Sequence, residues 1–427
     1  MFNTFLLFGL LLFFIALSIP IGITIGISTA ICMVMTTSIP MTMIAQKCFT
    51  GLDSFPLLAI PFFILAGALM CTGGISKRLV NLAESLVGFI TGGLAMVTVL
   101  ACMFFAAISG SGPATVSAIG SFMIPSMKEK RYDPDFAAAV TACAGTIGVI
   151  IPPSIPFVIY CVVAQCSIGD LFIVGIIPGI IIGITLMSLV YVISKKCGYV
   201  SDASFPTIKS VGKAFKDGIW ALFTPIIILG GIYGGLFTPT EAAVVAVVYS
   251  IIIGKFVYKE LTNKELYNAL RSAALINGAT QFMMGLSFAF SNYLAIAQIP
   301  SAIGNALMNS GFGPLLVFLI INIFLLIVGC FIDNIAAIVI LTPILLPVVT
   351  SFGMDPLVFG LVMTFNLAIG FITPPYGVNL FVAMAVSGRN IEGLSKAVFP
   401  FITVMVVDLL IFTYCPSISL WLLSVLN

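Results

Sequence analysis

Two short clusters of oxygen-bearing residues stand inside strongly apolar runs. The first is Ser109-Gly110-Ser111-Gly112-Pro113; the second is Asp333-Asn334, within Phe331-Ile332-Asp333-Asn334-Ile335. Glycine permits unusual backbone angles and proline cannot continue a helix, so the first cluster predicts a turn. A turn at bilayer depth presents carbonyl and hydroxyl oxygens, which are hard ligands suited to small cations. Burying the Asp333 carboxylate at that depth costs at least about 2.5 kcal/mol, which marks it as a functional position. The plainer readings are a helix cap for Asp333 and a kinked helix contact for the Ser-Gly cluster.

A second kind of signal faces these clusters. Gly148-Val149-Ile150-Ile151-Pro152-Pro153 returns as Gly370-Phe371-Ile372-Thr373-Pro374-Pro375. Proline inside a helix removes a backbone donor and clashes with the preceding turn. In lipid the freed groups must be received by protein or by a water-filled cavity. Matched interruptions in two halves of a chain point to a transporter's central site. Around them lie Gly145-Thr146 and Ser154 in the first copy, and Asn366 and Tyr376 in the second. Unwound carbonyls suit cations, and a half-helix N-terminus suits an anion. Each cluster with its break therefore predicts one cation clamp. The first holds Ser109, Gly110, Ser111, Gly112, Gly145, Thr146, Gly148 and Pro152. The second holds Asp333, Asn334, Gly370, Thr373 and Pro374. An anionic substrate is expected between them, near Ser109, Ser154 and Asp333. Arg389, after the second break, is either a substrate contact or a membrane-edge anchor. Both breaks could instead be packing kinks, a reading weakened by their recurrence.

The elements that must position these residues follow from the recurrence. The offset of 370 against 148 also matches Ala114 with Ala336, Pro125 with Pro347, Asp133-Pro134 with Asp355-Pro356, and Pro178 with Pro400. Two repeats are predicted, over 1–200 and 217–427, joined by a cytoplasmic linker over 201–216. The first has a hairpin at about 93–127 and a broken helix at about 135–166. The second has a hairpin at about 314–350 and a broken helix at about 357–388. Stretches 76–90 and 299–309 read as amphipathic arms before each hairpin.

The composition demands a membrane. The chain is 61% hydrophobic and 7% charged, where a soluble protein carries roughly 25% charged residues. Long apolar runs favour helices over the ten-residue alternation of membrane strands. The segment Phe5–Leu17 runs into further apolar segments and lacks the marks of a cleaved signal. Basic residues favour the cytoplasm. With hairpins that re-enter and both termini outside, every basic residue except Lys47 falls on the inner side. That count makes the repeats inverted. Without histidine the usual zinc ligand is missing, the ten cysteines show no metal spacing, and no nucleophile–base pair supports an intramembrane enzyme. Glu241 reads as a helix-start carboxylate and Asp53 and Glu84 as interfacial, while Asp408, in the last apolar helix, could face a partner subunit and its role stays open.

Ser109-Gly110-Ser111-Gly112-Pro113-Ala114-Thr115, the Pro-Pro breaks and Gly235-Leu236-Phe237-Thr238-Pro239-Thr240-Glu241-Ala242-Ala243 resemble the large membrane subunit of TRAP (tripartite ATP-independent periplasmic) transporters over essentially the whole chain. The resemblance implies an all-α polytopic membrane protein of the elevator type, with a fixed scaffold and a mobile domain of hairpins and broken helices. It implies sodium-coupled import of an organic acid anion across the bacterial inner membrane, the sodium ions at the hairpin tips. Sialic acid is the leading expectation and a C4-dicarboxylate the next. Implied partners are a periplasmic substrate-binding protein and a small four-helix membrane subunit, expected as a separate chain, with no nucleic acid partner. The alternative is a stand-alone divalent-anion/sodium symporter that needs no binding protein.

Overall fold

In the computed structural model the described residues are 2–201, 205–308, 311–374 and 377–426. They form helices and no strand. The first half runs α1 (Phe2–Ala16), α2 (Ile21–Thr36), α3 (Thr42–Leu52), α4 (Ala59–Thr72), α5 (Ile75–Val87), α6 (Gly93–Ser109), α7 (Gly112–Glu129), α8 (Pro134–Gly145), α9 (Ile155–Ala164) and α10 (Ile168–Cys197). The second runs α11 (Ile208–Tyr233), α12 (Pro239–Ile252), α13 (Asn263–Ile296), α14 (Ile299–Met308), α15 (Pro314–Gly329), α16 (Asn334–Ser351), α17 (Pro356–Gly370), α18 (Val378–Ser387), α19 (Ile391–Tyr414) and α20 (Pro416–Leu426). Seven helices among the described residues are long and apolar enough to cross a membrane. The protein is an all-α polytopic membrane protein.

Matched residues start matched helices. Asp133 caps α8 by accepting from Phe136 N at 2.8 Å, and Asp355 caps α17 by accepting from Leu357 N at 2.7 Å. In each case proline follows at the first helical position, where its missing N–H costs nothing. The repeated Asp-Pro is thus a repeated start signal. The halves also pack reciprocally: α7 lies on α18 and α16 on α9, while α2 lies on α13 and α12 on α4.

The hairpins enter from opposite ends. At the base of the first, Lys128 donates to Ser387 O at the end of α18, and Arg389 forks onto Asp135 at the start of α8. From there α8 leads to its break and α9 carries on to the far end. There the Tyr160 hydroxyl donates to Pro356 O, at the base of the second hairpin, at 2.6 Å. One base lies at each end of the α8–α9 unit.

Several expectations need adjusting. The linker is shorter than 201–216, because Thr207 and Ser210 form a reciprocal cap that starts α11 at Ile208. The 42–72 stretch forms α3, a 3-10 turn at Phe55–Leu58 and α4. Its counterpart α13 is continuous over 34 residues. Pro56 at the start of the turn cannot continue the preceding helix. Asp408 does not face outward toward a partner; it is buried within this chain and accepts from Thr185 of α10 at 2.6 Å.

Candidate cation-binding site at the hairpin tips

The first tip is a turn built by its own residues. Gly110 ends α6 at φ 61°, a left-handed conformation that favours glycine. Ser111 is extended, and Gly112-Pro113 open α7. Ser109 is buried; its hydroxyl lies 2.9 Å from Thr115 Oγ1, which in turn donates to Ser111 O at 2.8 Å. This makes a small cluster of hydroxyl and carbonyl oxygens at the turn.

The tip is wedged against the first break. Ile155 N donates to Gly110 O at 3.3 Å. A methyl at Gly148 would stand 2.6 Å from both Ser111 O and Thr115 Oγ1, so only glycine admits the tip there. Asn379, at the start of α18 beyond the second break, also reaches this tip. A methyl at Gly112 would meet Asn379 Oδ1 at 3.1 Å, and one at Gly145 would meet Gly112 O at 3.3 Å. Asn379 is fully buried and gives its amide N–H to Ala142 O at 3.1 Å, while its Oδ1 has no partner among the described residues. Asn379 Oδ1 thus stands as a free carbonyl acceptor beside a turn of hydroxyl and carbonyl oxygens.

The second tip keeps the plan and changes the chemistry. Asp333 caps α16, one carboxylate oxygen accepting from Ile335 N at 3.0 Å. Asn334 is buried, and neither its Oδ1 nor its Nδ2 has a partner among the described residues. A methyl at Gly370 would run into the Gly329 backbone, so α15 and α17 touch main chain to main chain where the second break begins. Behind that contact, Asn366 donates to Asn322 at 2.6 Å and Asn322 to Thr413 at 3.0 Å, leaving Asn366 Oδ1 unpartnered.

The tips and breaks therefore come together as the spacing predicts, but not every candidate joins them. The Thr146 hydroxyl donates to Cys143 O at 2.6 Å and that of Thr373 to Ile369 O at 2.8 Å, which orients each side chain along its own helix and leaves the oxygen lone pairs as acceptors. Pro152 and Pro374 shape the breaks, and each keeps its backbone carbonyl as an acceptor. Ser154 donates to Val149 O at 2.6 Å and accepts from Phe157 N at 3.3 Å. Ile155 N is already bound, Pro156 has no N–H, and Phe157 N is capped. The α9 N-terminus thus has no free donor for an anion, and Ser154 closes it. Arg389 lies at the base of the first hairpin, its guanidinium 2.6 and 2.8 Å from the two Asp135 oxygens. That carboxylate raises its proton affinity further, and it is not brought to the tips. Pro375 and Tyr376 lie outside the described residues. Glu241 is a cap, accepting from Thr238 N at 2.8 Å. Asn379 escaped the sequence reading because its counterpart in the first repeat is Phe157, so the recurrence gives it no match. An amide at the start of an apolar helix was its available signal.

Residues 8–418 match the family described as the Tripartite ATP-independent periplasmic transporter, DctM component. The chain belongs to the DctM family. It is 48% identical over 415 residues to the isethionate TRAP transporter permease protein DctMQ of Oleidesulfovibrio alaskensis, covering 97% of this chain but 65% of that longer protein. It is 41% identical to the C4-dicarboxylate TRAP transporter large permease protein DctM of Pseudomonas aeruginosa, over 93% of each chain. It is 40% identical to the sialic acid TRAP transporter permease protein SiaT of Haemophilus influenzae, covering 97% of this chain and 67% of that one. Among solved structures, the YdaH transporter of Alcanivorax borkumensis shares the fold at a TM-score of 0.64 and 14% identity, over 89% of this chain and 87% of that one. This DctM-family chain is a membrane permease subunit and not an enzyme.

Proposed function

We propose that this chain is the membrane pathway of a sodium-coupled importer of a small organic acid anion in the bacterial inner membrane. It receives its substrate from a periplasmic binding protein and works beside a small four-helix membrane subunit. The observation that carries the reading is the set of unpartnered buried amides, Asn379 Oδ1 at the first tip and Asn334 at the second. Buried polar atoms without partners cost about 1–3 kcal/mol each, a cost that a bound cation at the tips would offset. Oxygen donors on both tips favour a hard monovalent cation. Asp333 adds the one side-chain charge at either turn. We assign one cation to Ser109, Ser111, Gly112 and Asn379, and a second to Asp333 and Asn334.

An anion is poorly received by these oxygens alone. With cations in both clamps the space between the tips turns electropositive, so the anion and sodium favour each other's binding. This is the coupling a symporter requires. One charge crossing about 100 mV yields about 2.3 kcal/mol, and two cations would drive accumulation of a monovalent anion. The relatives' names cover a sulfonate, dicarboxylates and a sialic acid, and the greatest identity among those three lies with the isethionate permease. Isethionate therefore leads the substrate panel, ahead of the sialic acid expected from the sequence.

The test is uptake into proteoliposomes holding both membrane subunits, with the binding protein added outside. Radiolabelled isethionate, succinate and sialic acid are offered with sodium or with choline. Accumulation of one acid only with sodium and binding protein is expected. Uptake that persists without sodium refutes the coupling, and uptake without the binding protein selects the stand-alone symporter.

A further inference from the structure

At the outer end of α9 two cysteines are held side by side. The helix ends in a left-handed Gln165, at φ 55°, and Cys166 N donates back to Cys161 O at 3.1 Å. This six-to-one bond belongs to the helix-ending motif in which the side chains of those two positions meet. Cys161 Sγ donates at 3.4 Å to the carbonyl oxygen of Ser167, the residue next to Cys166. A disulfide asks for Cα atoms about 4.4–6.8 Å apart and Cβ vectors that converge, and the motif sets these two residues against each other across one turn.

The pair is reachable from one side. Cys161 is buried and Cys166 is partly exposed. Cys166 lines a cavity of about 570 Å³ with Ser167, Asp170, Tyr233 and Phe237. The cavity lies between the α9–α10 turn and the α11–α12 loop. In the orientation that places the basic residues inside, this end faces the periplasm, the compartment where disulfides form and persist.

We propose that Cys161 and Cys166 form a redox-modifiable pair that closes to a disulfide on exposure to a disulfide oxidant from the outer side. Cys166 exchanges first: its thiolate attacks the oxidant's disulfide and releases one oxidant thiol. Cys161, as thiolate, then attacks the Cys166 sulfur of the mixed disulfide and releases the second thiol. The two cysteines lose two protons and two electrons, and the oxidant disulfide is reduced to two thiols. The product staples the end of α9 to the start of α10.

The experiment uses the full chain in right-side-out and inside-out membrane vesicles treated with oxidised glutathione, which does not cross the bilayer. After denaturation, free thiols are alkylated and peptides are weighed. The expected result in right-side-out vesicles is a peptide spanning both cysteines that is lighter by two hydrogens and unalkylated until reduced. Cys161→Ser should instead leave Cys166 carrying one glutathione. Full alkylation of both cysteines in right-side-out vesicles would overturn the proposal. So would a stable glutathione adduct on wild-type Cys166, or closure in inside-out vesicles alone.

Discussion

Asp333 carries two duties that substitution can separate. Its carboxylate caps α16 and also adds negative charge to the second tip. Asp333→Asn keeps an oxygen for the cap and removes the charge. Sodium-driven uptake should be lost while the melting temperature in detergent stays near wild type. Asp333→Ala removes both, and should also lower stability by about 1 kcal/mol, the usual worth of a cap. Equal uptake by Asp333→Asn and wild type would remove Asp333 from the cation site. Asn379→Ala deletes one ligand at the first tip and should weaken apparent sodium affinity by roughly tenfold, the scale of one hydrogen bond or ligand contact to a charge. A sodium titration of uptake reads this directly. Arg389 belongs to a different group of residues. Its partner is Asp135, and the pair is partly exposed, at 42% and 18%. Arg389→Ala should leave substrate affinity within about twofold and cost less than about 1 kcal/mol. A large rise in KM with unchanged stability would return Arg389 to the substrate site.

At the scale of the element, the breaks work through glycine as much as proline. Gly148 and Gly370 are where a hairpin presses its main chain onto a broken helix. An added methyl has no room to displace backbone, and overpacking of this kind costs about 1–3 kcal/mol. Gly148→Ala and Gly370→Ala should each lower thermal stability and abolish uptake. Gly278 lies within α13, where a methyl would have no neighbouring atom within 4 Å. Gly278→Ala should be neutral or slightly stabilising, since alanine is favoured over glycine inside a helix. If all three behave alike in a melting assay, the close contact is not what selects glycine at the breaks. The hairpin arms were legible from the sequence to within a few residues, because Gly110, Pro113, Asp133-Pro134 and Asp355-Pro356 are local stop and start signals. The break between α3 and α4 has no match in the continuous α13, so the recurrence does not carry it.

At the scale of the whole molecule, residues from both halves fasten the mobile elements together. The Arg389–Asp135 pair and the Lys128–Ser387 bond join the end of α18 to the base of the first hairpin. The Tyr160–Pro356 bond does the matching service at the other end, between α9 and the base of the second hairpin. A unit tied at both ends can shift as one body. Exchanging the charges as Asp135→Arg with Arg389→Asp should restore any stability lost by either change alone. Failure of the double variant to recover would show that the two residues act separately. The orientation is testable on the same scale. A cysteine placed at Lys47 should react with an impermeant reagent from outside, and one placed at Lys213 only from inside. The opposite pattern would invert the whole topology.

The sequence by itself determined what is written locally or by recurrence. Composition set the membrane, the offset between Gly148 and Gly370 set the two repeats, and caps and breakers set where helices start and stop. These need only neighbouring residues and counting. Only the tertiary structure decided which oxygens remain free. Ser154, Thr146 and Thr373 each donate a hydroxyl hydrogen within their own segment, which sets where their oxygen lone pairs point. Asn379 has no matching polar residue in the other repeat, yet it reaches across from the second break to the first tip. Whether a polar atom is spent or available depends on partners distant in the chain, and the packing of the two repeats is what brings them together or keeps them apart.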